Sequence, residues 1–282
     1  MKEIADEIHG ENQTVCVLDA STYVGFWVFK ALISKGYHVH AAINKNGESE
    51  LIRRINEMGK TDKRVTVLIV DVLDYHTITD ALKGCSALFC CLDSPDGYAV
   101  DEVVDLEVMG AINVVEACAQ TESIEKVIFN SSLTAAIWRE NISSDKLDVD
   151  ESSWSHEDFC RKHKLWHGLT KMLAEKAAWG LAIDRVIDMV SINSGLVMGP
   201  DVTQRNPHVT MSYLKGAANM YQNGVLALID VTFLAHVNIR AFEDRSTSFG
   251  RYLCFNKVVN SQEEALKLAN NLSPLVSLPP TW

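Results

Sequence analysis

Short runs of β-branched and other apolar residues alternate along the chain with stretches whose apolar positions recur every three to four residues. The first apolar run spans 14–19, and an amphipathic stretch at 23–34 follows it and ends before Gly36. Further strand-like runs occupy 38–44, 64–72, 87–92, 126–132 and 188–195, each followed by helix-compatible sequence. Continuous apolar strands that alternate with helices predict an α/β fold with a parallel sheet covered on both faces.

The pattern becomes less regular from about residue 200 to the C-terminus. Strand-like runs at 224–231 and 251–255 and a helical stretch at 261–272 follow there without the earlier alternation. Doubly wound parallel sheets bind ligands at the carboxyl ends of their strands. We therefore predict a single Rossmann-type domain over 1–282, in which roughly 200–282 contributes a small C-terminal substrate lobe.

The composition favours a folded, acidic protein with a small-molecule partner. Hydrophobic residues make up 47% of the chain, and the formal net charge is −11. Nucleic acid and anionic membranes both select positive surfaces, so neither is expected as a partner. The N-terminus lacks the basic start and apolar run of a signal peptide, and no apolar run reaches the ~18 residues of a membrane span. We expect a cytoplasmic protein; the sequence leaves its oligomeric state open.

The cysteines give no indication of a metal or redox centre. The chain contains seven of them, without a CxxC pair, and most lie within apolar runs. Free thiols in such runs pack as small hydrophobic side chains, whereas zinc sites need paired ligands at defined spacing. We expect reduced, buried thiols and no metal site.

The turn after the first strand has the position of a dinucleotide phosphate loop. In such loops glycines let the backbone approach the pyrophosphate and let the helix pack on the strand. The segment VCVLDASTYVGFW at 15–27 contains only one glycine, Gly25. Asp19 and Ser21 are candidate capping residues that compete with a phosphate for the free N–H groups of the helix. The sequence therefore predicts retained packing at Gly25 and weakened phosphate binding at Asp19.

A second candidate motif combines the end of the fifth strand with the helix that follows. The strand ends in IFNSSLTAAIW, which contains Ser132, and the helix begins LWHGLTKMLAEKAAW. His167 and Lys171 are four residues apart and so share one helix face. An imidazole is a proton donor near neutral pH, although a nearby cation disfavours its charged form.

These segments together resemble the plant reductases of the cinnamoyl-CoA and dihydroflavonol type, which are extended short-chain dehydrogenases. The segments VSINSGLVMGP, LIDVTFLAHVNIRAFED and FGRYLCF extend the likeness over nearly the whole chain, in family order. The family's T-G-x-x-G-x-x-G places Asp19 and Thr22 at its first two glycines and Gly25 at its third. Its Y-x-x-x-K places His167 at the catalytic tyrosine and Lys171 at the lysine.

The resemblance implies a role for each candidate residue. Ser132 would orient the substrate carbonyl, His167 would donate a proton in place of the tyrosine, and Lys171 would hold the nicotinamide ribose. Asn44 stands at the family's arginine for the 2′-phosphate of NADP, followed by Lys45, so that NADP is favoured over NAD. The implied cofactor-binding residues are Asp19, Thr22, Tyr23, Val24, Gly25, Asn44, Lys45, Asp71, Val72, Lys171, Ser194, Leu196 and Val197.

The implied function is NADPH-dependent reduction of a carbonyl or thioester of a phenylpropanoid-like aromatic compound. If the chain is active, it is an NADP-dependent short-chain reductase with histidine in place of the catalytic tyrosine. Two alternatives stay open because the glycine and tyrosine positions are altered. One is a catalytically degenerate relative that acts as a ligand-binding or protein-interaction module. The other is a non-redox enzyme that uses the same cleft.

Overall fold

The computed structural model describes residues 13–44, 50–93, 100–140, 149–244, 246 and 249–276. The strands are β1 Thr14–Leu18, β2 His38–Asn44, β3 Val65–Val70, β4 Ala87–Cys90, β5 Lys126–Ser132, β6 Met189–Ser194, β7 Leu196–Met198, β8 Ala227–Asp230, β9 Gly250–Cys254 and β10 Lys257–Val258. The helices are α1 Tyr23–Ser34, α2 Glu50–Thr61, α3 Tyr75–Leu82, α4 Val100–Ala119, α5 Thr134–Ile137, α6 Glu157–Lys162, α7 Trp166–Asp184, α8 Val202–Arg205, α9 Pro207–Leu214, α10 Ala217–Gln222, α11 Val231–Glu243 and α12 Gln262–Asn271.

The predicted doubly wound parallel sheet is confirmed. Seven strands lie in the order β3-β2-β1-β4-β5-β6-β9, and every neighbouring pair is parallel. Chain order reverses between β1 and β4, which creates a crevice at their carboxyl ends. The candidate site residues that follow β1, β5 and β6 therefore meet at this edge of the sheet.

Both faces of the sheet are covered, as the continuous apolar strands require. In β1 the side chains of Val15 and Val17 pack in one core with helices α1, α2 and α11. Those of Cys16 and Leu18 point to the opposite face and pack with α3, α4 and α7. Successive residues of a strand point to opposite faces, so each side of β1 anchors a helical layer.

The C-terminal part of the chain is divided between the main sheet and a smaller lobe. The run at 251–255, which the sequence suggests as part of the lobe, forms β9 and pairs with β6 as the seventh strand of the main sheet. Sequence pattern does not show this, because pairing partners of a short strand are set by tertiary packing. A second sheet, ordered β10-β8-β7, packs with α9, α10 and α12 to form the lobe.

The seven cysteine thiols are all buried and free. Burial raises the pKa of each thiol for which a shift is resolved; in Cys85 burial is the sole cause, and it raises that pKa to about 12. None of the described helices is long and apolar enough to cross a membrane.

Candidate functional site

The loop between β1 and α1 is closed by its own side chains. Thr22 caps α1: its hydroxyl accepts from the Gly25 amide at 3.0 Å and donates to the carbonyl of Asp19 at 2.9 Å. The Asp19 carboxylate accepts from the Ser21 amide at 2.7 Å and from the Ser21 hydroxyl. Asp19 is 9% exposed, and this burial raises the pKa of its carboxyl against the lowering effect of the Ser21 hydrogen bonds. The Asp19 carboxylate therefore takes up the backbone N–H of Ser21, a donor that would otherwise be open to an anion at the start of α1.

Two amide donors at the start of α1 remain open. No hydrogen bond from the backbone N–H of Tyr23 or of Val24 is found within the described part of the chain. Free amides at a helix N-terminus, together with the helix dipole, favour an anion. Gly25 keeps the helix close to the strand, since a Cβ there would lie 2.0 Å from the carbonyl oxygen of Asp19. The start of α1 therefore offers two backbone donors to an anion.

The residues expected at the adenosine end follow β2 and β3 along the same edge of the sheet. Asn44 ends β2 and donates its backbone N–H to the Asp19 carboxylate, which lowers the pKa of that carboxyl. Asp71 is exposed just after β3 and accepts from the amide of Leu73 at 2.9 Å. The Val72 carbonyl accepts from Asn113 at 3.0 Å. Lys45 lies outside the described residues.

One pocket at the carboxyl edge of the sheet collects most of the remaining predicted residues. It encloses about 50 Å³ and is lined by elements of the sheet, α7 and α9. A cavity of this size holds a few water molecules, so an aromatic ligand has to displace lining side chains. The predicted residues that line it are Val24, Ser132, His167, Lys171, Ser194, Leu196 and Val197.

Ser132 is poised to donate a hydrogen bond into this pocket. It ends β5 and is 4% exposed. Its hydroxyl oxygen accepts from the amide of Thr134 at 3.2 Å and from the Thr134 hydroxyl at 2.9 Å. A serine hydroxyl has two acceptor positions and one hydrogen, so its own O–H is left to donate. This O–H can donate to an oxygen of a ligand in the pocket.

Lys171 is held by a buried ion pair that the sequence does not indicate. Its ammonium lies 2.8 Å from a carboxylate oxygen of Glu107 on α4, and the two side chains are 7% and 4% exposed. It also donates to the carbonyl of Leu92 at 2.7 Å and lies 3.6 Å from Asp93. Burial lowers the pKa of Lys171. The carboxylates of Glu107 and Asp93 raise that pKa by more than burial lowers it, so that the net shift is upward. Lys171 is a fixed cation in a fully occupied set of contacts.

His167 lies one helical turn before Lys171 and faces the lobe. Its ring centroid is 5.9 Å from that of Tyr213 on α9. Burial, then the charge of Lys171, lowers the pKa of His167 to about 3. At neutral pH the imidazole is therefore uncharged. The imidazolium, the form of histidine that donates a proton most readily, is not populated.

A buried polar network fixes the helix that carries His167 and Lys171. Glu175, fully buried on α7, accepts hydrogen bonds at 2.7 to 2.8 Å from side chains of the neighbouring strands. Its donors are Ser131, Ser191, Asn193 and Arg251. Because a buried carboxylate needs this full set of partners, α7 has one rotation relative to β5, β6 and β9.

Close packing at Gly168 sets the distance of α7 from the short helix α5. A Cβ at Gly168 would lie 2.6 Å from Cδ1 of Trp138 and 2.9 Å from the carbonyl oxygen of Thr134. Only glycine allows this approach, which places the adjacent His167 at the wall of the pocket next to Ser132.

Sequence reasoning missed Glu107, the partner of Lys171. It also missed three polar residues of the lobe that line the pocket, Asn206, Thr210 and Tyr213. A signal for Glu107 exists: it shares the apolar stripe of α4 with Val104 and Ala111, where a lone carboxylate needs a cation,. The lobe residues carry no motif, because only the tertiary packing of α9 brings them to the sheet.

Comparisons with known proteins identify the family of the chain. A sequence profile of the 3-beta hydroxysteroid dehydrogenase/isomerase family matches residues 16–224, more than half of the chain. The chain belongs to this family. Cinnamoyl-CoA reductase 1 from Petunia hybrida is 33% identical over 270 residues, which make up 95% of this chain and 79% of that protein. The resemblance to plant reductases of this type is confirmed.

Solved structures of the family's fold superpose over most of the chain. Vestitone reductase from alfalfa gives a TM-score of 0.70 at 23% identity, with 94% of this chain and 83% of that chain covered. Gre2 from Candida albicans in its complex with NADPH gives a TM-score of 0.73 at 20% identity, with 93% and 83% covered. These likenesses establish the fold of this 3-beta hydroxysteroid dehydrogenase/isomerase family member.

Proposed function

We propose that the chain is an NADPH-dependent reductase of a carbonyl or thioester on a phenylpropanoid-like aromatic compound. The observation that carries the proposal is the pocket at the carboxyl edge of the sheet, where Ser132, His167 and Lys171 meet. The Petunia relative, 33% identical over 95% of this chain, is a cinnamoyl-CoA reductase, and this supports the substrate class.

The residues at the edge of the sheet fit a nicotinamide dinucleotide, with fewer phosphate donors than a glycine-rich loop offers. The open amides of Tyr23 and Val24 would hold a phosphate at the N-terminus of α1,. Asp71 would contact the adenine, and Ser194, Leu196 and Val197 would border the nicotinamide. The NADPH complex of the structurally similar Gre2 supports a nicotinamide cofactor in this fold.

The choice of NADP over NAD rests on the residues after β2. Asn44 ends that strand, and Lys45 follows it in the chain. A lysine attracts the 2′-phosphate of NADP as a point charge, whereas selection of NAD needs an acidic residue for the ribose diol. NADPH is therefore the proposed cofactor.

The chemistry divides between the cofactor and the pocket. A bound nicotinamide supplies the hydride that reduces the carbonyl carbon. Ser132 donates its free O–H to the carbonyl oxygen, which polarises the bond and fixes its orientation,. Lys171, held by Glu107 and Leu92, keeps a positive charge at one position in the pocket wall, where it would hold the nicotinamide ribose. Val24 and Leu196 contribute apolar wall to this space.

A second candidate function is ligand binding without turnover. The buried carboxylate of Asp19 favours this alternative, because it occupies a phosphate donor and repels a phosphate. Under this alternative the pocket binds an aromatic compound, and the dinucleotide is not needed.

Calorimetric titration with NADPH and NADH, followed by an assay of NADPH consumption, tests the proposal. The assay substrates are cinnamaldehyde and a hydroxycinnamoyl-CoA thioester. We expect NADPH to bind more tightly than NADH and at least one substrate to be reduced. Ser132→Ala should lower kcat by about 10²–10³-fold, the usual loss for one oxyanion donor. The control Ser123→Ala removes an exposed hydroxyl in the turn before β5 and should leave kcat unchanged.

Absence of NADPH binding, or binding without reduction of either substrate, would contradict the proposal. If cinnamaldehyde binds with an affinity that neither NADPH nor NADH changes, the result would favour the second candidate instead.

A further inference from the structure

We propose that Tyr213, on helix α9 of the lobe, donates the proton that the substrate oxygen takes up in this pocket. Its phenol would replace the one absent from position 167. The inference rests on the proposed reductase function and extends it, because it identifies a catalytic residue in an element outside the motifs of the sheet.

The first argument is position. Tyr213 lines the same pocket as Ser132, His167 and Lys171, and it approaches from the opposite side, since α9 belongs to the lobe. Its ring centroid is 5.9 Å from that of His167, the residue at the family's tyrosine position. A phenol at this place borders the same space as the hydroxyl of Ser132.

The second argument is an unused hydrogen-bonding group. Tyr213 is 4% exposed, and its phenol O–H donates to no acceptor among the described residues. An unsatisfied polar group in a protein interior costs about 1–3 kcal/mol, so such groups are rare without a function. Burial raises the pKa of Tyr213, and a hydrogen bond that the phenol oxygen accepts from the backbone N–H of Leu196 opposes this shift. At neutral pH the phenol is protonated, and its O–H is free to donate to a ligand oxygen.

The third argument is the protonation state of the other groups around the pocket. His167 is uncharged, because its pKa is lowered to about 3. Burial raises the pKa of Asp93 to about 6, the charge of Lys171 opposes this shift, and the carboxyl is ionised at neutral pH. Lys171 is engaged with Glu107 and the Leu92 carbonyl, and its pKa is raised. Two O–H groups at the pocket are then free to donate, those of Ser132 and Tyr213, and a phenol is a stronger acid than an aliphatic hydroxyl,.

The proton transfer balances with the reduction of the carbonyl. The cofactor supplies a hydride, which brings two electrons to the carbonyl carbon, and the π pair of the C=O bond moves to the oxygen. That oxygen forms an O–H bond as the O–H bond of Tyr213 breaks, leaving a phenolate. Water entering with product release returns the proton to the phenolate.

Tyr213→Phe removes the phenol oxygen while it keeps the ring that packs against His167. The matched control is Tyr221→Phe, which removes a phenol from the neighbouring lobe helix α10, outside the pocket. With NADPH and cinnamaldehyde, we expect Tyr213→Phe to lower kcat by about 10²–10⁴-fold, as for loss of a general acid. KM should rise by no more than about threefold to tenfold, the loss expected for one hydrogen bond to the substrate oxygen, and Tyr221→Phe should match the wild type. The wild-type rate should not fall as the pH is raised through 6, where Asp93 loses its proton.

A binding measurement gives a second readout that needs no turnover. Cinnamaldehyde and β-methylstyrene, which shares its skeleton but lacks the oxygen, are titrated into protein containing oxidised NADP. Loss of one hydrogen bond should weaken cinnamaldehyde binding to Tyr213→Phe by about threefold to tenfold. Binding of β-methylstyrene should not change.

The outcomes separate this inference from the proposed function. Full activity of Tyr213→Phe would overturn the inference and leave the reductase function standing. If the wild type reduces no substrate, the proposed function and the proton transfer both fail. The binding arm then decides whether Tyr213 contacts the substrate oxygen: selective weakening of cinnamaldehyde supports that contact, and equal losses for both compounds overturn it.

Discussion

Replacement of Asp19 by asparagine should tighten the binding of NADPH. The carboxylate is buried beside the N-terminus of α1 and accepts from the Ser21 amide at 2.7 Å. Asparagine retains a side-chain oxygen for the Ser21 amide and removes the negative charge. The open amides of Tyr23 and Val24, where we place a cofactor phosphate, follow the Ser21 amide by two and three residues.

The expected gain follows from the repulsion between two negative charges. At a separation of ~4 Å the energy is about 1 kcal/mol at the dielectric of water and about 4 kcal/mol at an effective value of 20. These energies correspond to a change in Kd of roughly fivefold to a thousandfold. Because Asp19 is 9% exposed, water screens it weakly, and we expect at least about a tenfold gain,. Asp19→Gly with Thr22→Gly, which restores both missing glycines, should also tighten binding by at least about tenfold.

The pH dependence of this gain is a specific signature of the carboxylate. Burial raises the pKa of Asp19, so its carboxyl takes up a proton at a higher pH than an exposed aspartate. The protonated form does not repel phosphate, and the advantage of Asp19→Asn over the wild type should shrink as the pH falls through this raised pKa.

Calorimetric titration with NADPH over a range of pH measures both effects. Asp74→Asn is the matched control, because the exposed carboxylate of Asp74 also accepts from the amide two residues further on, that of His76, at the start of α3. Thermal unfolding of each variant checks that the fold is retained. An unchanged Kd in Asp19→Asn, or a gain that is independent of pH, would refute the electrostatic reasoning.

Three further predictions concern other parts of the chain. Lys45→Ala should weaken NADPH more than NADH, and more so at low salt; equal losses in titration would exclude a 2′-phosphate contact. Burial raises the pKa of Asp93 from 3.8 to about 6, so unfolding free energy should fall as pH rises through this window, and Asp93→Asn should remove that slope in denaturant titrations,. Gly168→Ala should cost about 1–3 kcal/mol because its Cβ would meet Trp138, whereas Gly180→Ala in open space on the same helix should not destabilise,.

The sequence predicts the layers of the main sheet well because its strands have continuous apolar runs. The predicted bounds of β2, β5 and α1 agree with the structure, and the apolar periodicity and Gly36 explain this agreement. The lobe is less predictable, since its short strands depend on tertiary pairing. β9 illustrates the limit: the same residues would be compatible with either sheet, and only the position of β6 decides between them.

The site shows a similar division between local and tertiary information. Ser132, His167 and Lys171 lie in motifs with fixed spacing, and the structure brings them to one pocket. Tyr213 reaches that pocket from α9, and Glu107 on α4 pairs with the pocket residue Lys171, both through helix packing that local spacing does not encode. The pKa of His167 likewise depends on its burial in the assembled fold, so its charge is not fixed by residue type alone.

Deuterium transfer from the cofactor tests the central claim most directly. Purified protein is incubated with cinnamaldehyde and NADPH that carries deuterium at one or the other of the two transferable positions of the nicotinamide. If the pocket is a reductase site, mass spectrometry should find one deuterium at the former carbonyl carbon of the alcohol with one of the two labelled cofactors. No alcohol, or an alcohol without deuterium from either cofactor, would contradict the account.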